Sequence, residues 1–347
     1  MALRRYVGER MLKDKLSLLR SFARSFGPAG RSVSGPYHVA SAMPVGACPA
    51  CGSTRGHVHE ELELARLAEV WSNVEPGSGE QLNRSMRRGE IPERIRIAQC
   101  PDCGLEYGSP TVSVDADWYT QFERYGVRWE YFEVLKRLPQ RATTLLEVGC
   151  GEGHFMEIVS RGGHRPVGVD FNARAVARAA EKGLDVRCAD LRELLLAKQT
   201  FSAFALFHVI EHLEDPLATL RDLAQLAERG ATLFISCPGP NRYTTPMLPQ
   251  QRAGNRDVWD YPPFHQTRWT KLAMRSVLER SGWKLTQFDE EPLGWIALNS
   301  IIRSNEDGYR RASRLGKKAR LGLGLPGTLL PAFRYKGMSI LAAAVRS

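Results

Sequence analysis

The chain has 347 residues, 43% hydrophobic and 25% charged, with a net charge of +10 at pH 7. That length holds one large core and one smaller domain, and the composition is that of a globular protein, not a disordered or collagen-like one. No run approaches 18 uninterrupted apolar residues and no secretory apolar stretch stands near the N-terminus, which argues against a membrane-spanning helix and sets the cytoplasm, with reduced thiols, as the expectation.

Residues 1–36 hold eight Lys/Arg against two acids, residues 303–336 hold nine against two, and the remainder is slightly acidic. Basicity confined to two segments argues against a core built to track nucleic acid. It leaves room for a tail touching an anionic membrane surface. In the tail, Leu, Met, Phe and Val interleave with Arg and Lys. Three readings stay open: a tail with a solvated charged face, an interfacial amphipathic helix, or a transit peptide, against which Glu9 and Asp14 weigh.

Residues 37–114 carry two matched knuckles, CPACG (48–52) and CPDCG (100–104), with 48 residues between Cys51 and Cys100. Pro after the first Cys and Gly after the second suit a tight turn that aims two thiolates at one ion. Cys48, Cys51, Cys100 and Cys103 therefore read as a closed, structural Zn2+ site of the zinc-ribbon type. A closed site has no open position for chemistry, and its binding energy folds a small domain. His57 and His59 are surplus to four Cys ligands. Between the knuckles, 61–71 reads as helix and 72–80 as loop. Cys150, Cys188 and Cys237 read as small hydrophobes in or beside buried strands. The aromatic-rich segment 115–139 reads as a helical linker into the domain at 140–347.

LLEVGCGEG (145–153) is an apolar run ending in Glu147, followed by Gly149, Gly151 and Gly153. It describes a buried strand running into a loop whose backbone approaches a ligand. A carboxylate two residues before the first Gly repels a pyrophosphate and suits a cation. S-adenosylmethionine has an ammonium, a sulfonium and no phosphate. RPVGVD (165–170) ends a second strand at Asp170, placed to accept both ribose hydroxyls, with Phe171 next to it. DVRCAD (185–190) ends a third at Asp190, followed by Leu191, a position for the adenine amino group, although an acid there also caps a helix. Strand and helix patterns alternate through 231–238, with Gly183 and Gly230 where helix C-caps belong. This predicts an α/β, doubly wound, mostly parallel seven-stranded sheet, Rossmann-like, with its ligands at the carboxyl ends of the strands. Helix 269–282 and strands 283–291 and 338–346 close it, with a helical insertion over 292–337.

EVGCGEG, GVDFN and the AD of CAD resemble the motifs of class I S-adenosylmethionine-dependent methyltransferases, and FHVIEHLEDP is similar to the signature of the small-molecule and ubiquinone-type branch. The resemblance covers about residues 140–290. It implies that S-adenosylmethionine is the cofactor and that the last strand inserts antiparallel. Zinc ribbons ahead of such a core resemble a branch of sugar and glycan methyltransferases, in which the ribbon helps bind substrate. In other relatives an E-x-x-E-H cluster plus a later His binds a divalent ion; here His208 replaces the first Glu, Glu211 and His212 match, and His265 is the later His.

Methyl transfer to a hydroxyl needs alignment, exclusion of water and a proton acceptor. His208 and His212 at the fourth strand tip, and His265 in PPFHQTRWT, are the candidate catalytic residues; His208 also stands on the cofactor side. Glu211 and His212 equally suit ordering of the loop ahead of the helix at Asp215. Asn241, Tyr243 and Tyr261 are candidate pocket residues, and Arg242 and Arg268 candidate phosphate binders. The leading function is methyl transfer to a small-molecule or glycan acceptor. An RNA or protein methyltransferase using the ribbon for recognition, and a non-catalytic binding module, are the alternatives.

Overall fold

A computed structural model describes residues 45–114, 118–119, 121–122, 126–240, 252–253, 256–291 and 337–347. The 1–36 tail, Asn241, Arg242, Tyr243 and residues 292–336 of the expected insertion lie outside the described residues.

The elements run β1 (His57–Glu63), α1 (Leu64–Val74), α2 (Ser78–Arg87), β2 (Arg94–Gln99), β3 (Glu106–Gly108) and α3 (Trp129–Arg137). Then come β4 (Thr144–Val148), α4 (His154–Arg161), β5 (Arg165–Val169), α5 (Ala173–Glu181), β6 (Asp185–Arg187), α6 (Leu191–Leu196) and β7 (Phe201–Phe207). A 3-10 turn (Ile210–His212) leads to α7 (Pro216–Leu226), β8 (Ala227–Pro238), β9 (Arg252–Ala253), β10 (Arg256–Asp257) and a second 3-10 turn (Val258–Asp260). The chain closes with β11 (Thr267–Arg268), α8 (Lys271–Arg280), β12 (Trp283–Glu290) and β13 (Ser339–Arg346).

The large sheet has seven strands in the order β12-β13-β8-β7-β4-β5-β6. β4 to β8 pair in parallel, and β13 lies antiparallel between β8 and β12. Both faces are covered, which is why β7, FSAFALF, reads as a nearly continuous apolar run. The two-residue period sorts its side chains. Leu145, Ala203, Ala205 and Phe207 pack with Tyr131 and Val134 of α3 and Phe155 of α4. Leu146, Phe204 and Leu206 pack with α6, α7 and α8.

The second sheet, β1-β2-β3-β11, unites the knuckle region with a strand from beyond β8. Its helices α1 and α2 bury Leu64, Leu67, Trp71 and Leu82 together with Val258 and Tyr261. The helix expected over 61–71 begins at Leu64, because Glu61–Glu63 pair with Arg94–Arg96 as the end of β1. The loop expected over 72–80 is largely helix. Ser78 Oγ donates to the Trp71 and Glu75 carbonyls, and a Cβ on Gly79 would sit 1.9 Å from the Ala68 carbonyl oxygen. The small residues that suggested a loop are what let α1 and α2 touch. Gly183 follows the α5 cap with φ 78°, as expected. Gly230 does not cap α7. The helix stops at Leu226, and Gly230, φ 75°, lies within β8, where the pairing with β7 shifts register.

Candidate active site and four-cysteine centre

The glycine loop follows β4. Gly149, Gly151 and Gly153 have φ of 72°, 51° and 74°. The first is enforced twice, since a Cβ there would also lie 2.4 Å from Val209 Cγ2 at the tip of β7. Asp170, ending β5, shapes the same loop: Oδ2 accepts from Gly151 N at 2.7 Å and Oδ1 from Asn172 N at 2.8 Å. Glu147 is buried and its Oε2 has no hydrogen-bond partner. Burial first, and the charge of Asp170 second, hold its carboxyl well above the usual carboxylate range. A cation arriving here relieves both. Phe171, 63% exposed, presents a bare ring beside Asp170. Asp190 caps α6, accepting from Arg192 N (2.8 Å) and Glu193 N (3.3 Å) through Oδ1 alone, with Leu191 buried behind it. Cys188 is not a core residue: it is exposed, its thiol donating to the Phe171 carbonyl at 3.5 Å.

The histidines gather at the tip of β7. His208 sits in left-handed backbone with φ 56°. Its Nε2 lies 3.1 Å from Glu130 Oε1 and its Nδ1 3.3 Å from Glu211 Oε1. Burial opposes charge on all three, but their mutual hydrogen bonds outweigh it, raising the His208 pKa, lowering that of Glu130 and bringing Glu211 down to about 2. With a carboxylate at each ring nitrogen, His208 is held as a clamp between Glu130 and Glu211. His212 donates Nδ1–H to the Phe264 carbonyl at 2.5 Å, which leaves Nε2 with the lone pair, and burial keeps this ring neutral. His265 Nδ1 lies 3.5 Å from Asp260 Oδ1, both residues buried, and its ring centroid is 5.0 Å from that of His212. One ligand atom from each of Glu211, His212 and His265 falls within a 4.8 Å cluster. The set can act as a proton acceptor or hold a divalent ion.

Two other candidates are committed elsewhere. Arg268 pairs with Glu106 at 3.0 Å, and the hydroxyl of the fully buried Tyr261 donates to Glu60 at 2.6 Å. Sequence reasoning missed Glu130, Asp260 and Gln266. Only Gln266 carried a signal, a polar residue beside His265 in PPFHQTRW.

The knuckles fold as twins. Gly52 N donates to Cys48 O and Gly104 N to Cys100 O, with glycine φ of 79° and 73°. The Sγ atoms of Cys48 and Cys103 are 3.6 Å apart, those of Cys51 and Cys100 3.5 Å, and all four lie within 4.8 Å of one another. Tetrahedral zinc, with Zn–S near 2.3 Å, sets sulfurs ~3.8 Å apart, so the donor set and its spread fit that ion. Burial pushes the Cys48 thiol up to about 11 and Cys103 higher still, a cost that a bound cation reverses. His59 pairs with Glu106 at 3.6 Å and stands outside the cluster.

Residues 123–287 match the family described as Methyltransferase domain. Over that span the chain is similar to methyltransferase domains. Two curated relatives agree with that. One, named Probable S-adenosylmethionine-dependent methyltransferase, from Mycolicibacterium smegmatis, is 29% identical over 165 residues, 46% of this chain and 59% of that protein. A Ubiquinone biosynthesis O-methyltransferase from Parvibaculum lavamentivorans is 37% identical over 97 residues, 26% of this chain and 38% of that protein. The chain thus spans less than two thirds of the length of these relatives. Among solved structures, an S-adenosylmethionine-dependent methyltransferase from Mesorhizobium loti is 19% identical over 62% of this chain and 97% of its own, with a TM-score of 0.42. The methyltransferase domain match contains the glycine loop and all three histidines, whereas the four knuckle cysteines lie ahead of it.

Proposed function

We propose that the chain transfers a methyl group from S-adenosylmethionine to a hydroxyl of a small-molecule or sugar-type acceptor, with zinc in the four-cysteine centre as a structural ion. The observation that carries this is one of placement. A cation-seeking carboxyl, Glu147, and a loop tied down by Asp170 share the sheet's strand tips with a buried Asp260–His265 pair.

The cofactor, when bound, supplies a methyl group already activated by its sulfonium. The work left to the protein is alignment, exclusion of water and proton removal. Asp170 and the glycine backbone hold the nucleoside end, Phe171 gives the base a ring to lie on, and Glu147 favours the cationic end. His265, turned by Asp260, takes the acceptor's hydroxyl proton, and neutral His212 beside it keeps a second lone pair in reach. His208 holds Glu211 in place.

Calorimetry with S-adenosylmethionine tests the reading. Wild type binds, and Asp170→Ala weakens binding by about 10- to 100-fold, the worth of a lost charged hydrogen bond. A wild-type chain without affinity overturns it. Transfer of labelled methyl groups to sugars and phenols, with RNA as the competing acceptor, then sorts the acceptor class. A second reading has its own support: because Glu211, His212 and His265 converge within 4.8 Å, a divalent ion held there would activate the hydroxyl in place of a base. Transfer abolished by a chelator and restored by Mg2+ or Mn2+, with the zinc of the four-cysteine centre still bound, selects it.

A further inference from the structure

Gln266 stands where three parts of the molecule meet. It is buried, and each of its polar groups is used. Its backbone N–H donates to the Glu211 carbonyl at 2.7 Å, and its own carbonyl accepts from Gly108 N, at the end of β3, at 2.9 Å. The side-chain amide donates to Val112 O at 2.5 Å and Pro263 O at 3.0 Å, and its oxygen accepts from Val112 N at 3.1 Å. One side chain therefore grips the chain leaving the ribbon sheet, while its backbone grips the turn that carries Glu211 and His212.

The next residues continue the join. Thr267 and Arg268 pair with Tyr107 and Glu106 as β11 against β3. Both knuckles are held from the methyltransferase side as well. Thr270 Oγ1, the α8 cap, donates to the Cys103 carbonyl at 2.6 Å, and Arg280 at the other end of α8 donates to the Ala50 carbonyl at 2.7 Å. At Gly108 the approach is so close that a Cβ would meet Pro262 Cγ at 2.9 Å. His265 lies between these points, one residue from Gln266. By contrast, Asp170, Asp190 and the glycine loop bond to one another, to β5 and β6, and to the first residues of α5 and α6.

We propose that Gln266 is a positioning residue through which the metal-loaded ribbon sets the placement of His265 and Glu211, so that the four-cysteine centre governs the acceptor half of the site and leaves the cofactor half untouched. This rests on the zinc and methyltransferase readings above. An ion that touches no reactant then still controls the reaction, through β3, β11 and one amide side chain.

The test uses the full chain, with zinc measured by elemental analysis. His265 accessibility is read as its rate of modification by diethyl pyrocarbonate, resolved by peptide mass spectrometry, with His154 in α4 as the internal standard. The cofactor half is read as the S-adenosylmethionine Kd. Stripping the zinc is expected to speed His265 modification by about tenfold or more, as local opening of a buried group does, while the Kd stays within about threefold and His154 is unchanged. Gln266→Ala should do the same with zinc still bound, a split that general destabilisation would not produce. Unchanged His265 reactivity, or cofactor binding lost in parallel with it, overturns the proposal. Should Gln266→Ala not fold, the isosteric Gln266→Glu, which removes the donor to Val112, is judged by the same two readouts. A chain that neither contains nor takes up zinc overturns the role of the metal. A chain that holds zinc but does not bind S-adenosylmethionine overturns the functional reading instead.

Discussion

Individual side chains at the site are set by opposed electrostatic environments. Glu147 is pushed up by burial and by Asp170, whereas Glu211 is pulled down to about 2 by His208. The consequences for stability have opposite signs. A raised folded-state pKa stabilises the fold below the unfolded value of about 4.3 and loses that contribution as pH rises through the folded value. Glu147 is therefore a cost to the cofactor-free protein at neutral pH. Glu147→Gln should raise the melting temperature at pH 7.5, by roughly 2 °C per kcal/mol for a chain of this size, and leave it unchanged at pH 4. An equal gain at both pH values would place the effect in packing instead. His208→Leu acts the other way, since it leaves Glu130 and Glu211 buried without their shared cation. We expect a loss of about 3 kcal/mol in urea unfolding at pH 7, shrinking as pH falls and both carboxylates take protons. A loss independent of pH would refute the clamp. The sequence carried the glycine loop, the strand-end acids and the histidines, because each sits at a fixed offset from a strand. It could not carry Glu130 or Asp260, whose roles arise only when α3 folds against the tip of β7 and the turn at Val258–Asp260 meets His265.

Among the elements, the strands of the large sheet were legible because burial on both faces leaves unbroken apolar runs, and the helices because their stripes repeat. The misreadings fall where local chemistry was ambiguous. Ser78 and Gly79 look like turn residues and are in fact the contact between α1 and α2. Gly230 looks like a helix cap and is a register shift in β8. β11, two residues long, has no period to read at all; only its partner β3, more than 150 residues earlier in the chain, defines it. The junction between β4 and α4 gives a sharper prediction. Gly149→Ala must hold φ near 72° and place a methyl 2.4 Å from Val209 Cγ2. The left-handed backbone costs about 1–2 kcal/mol and the overpacking about 1–3 more. Because Val209 follows His208 directly, we expect the strain to reach both halves of the site. Chemical denaturation should show the stability loss, and calorimetry a cofactor affinity lower by about tenfold or more. Gly163, at φ 86° with open space around its Cβ position, is the control. Its alanine variant carries the backbone cost alone and binds cofactor like wild type.

At the scale of the whole molecule, the four-cysteine region is not an appendage on a flexible tether. Its sheet is completed by β11, its helices bury Trp71 against Phe122, Trp259 and Phe264, and α8 reaches both knuckles. A small domain sharing a sheet and an aromatic core with a larger one has no separate boundary at which to melt, so the zinc-loaded protein should unfold in one transition. If zinc fills the four-cysteine centre as proposed, removing it withdraws the energy that orders the knuckles without touching the seven-stranded sheet. Two transitions should then appear, the lower one belonging to residues 45–114 and β11. S-adenosylmethionine at a hundredfold excess over its Kd adds about 2.7 kcal/mol to whatever unfolds with the cofactor site. In the zinc-loaded chain it should therefore raise the single melting point, and in the stripped chain only the upper one. Differential scanning calorimetry beside a chromophoric zinc chelator reads both events. Zinc release well below the melting point of the loaded protein would show that the ribbon opens independently, and the shared sheet would then be a contact without energetic weight.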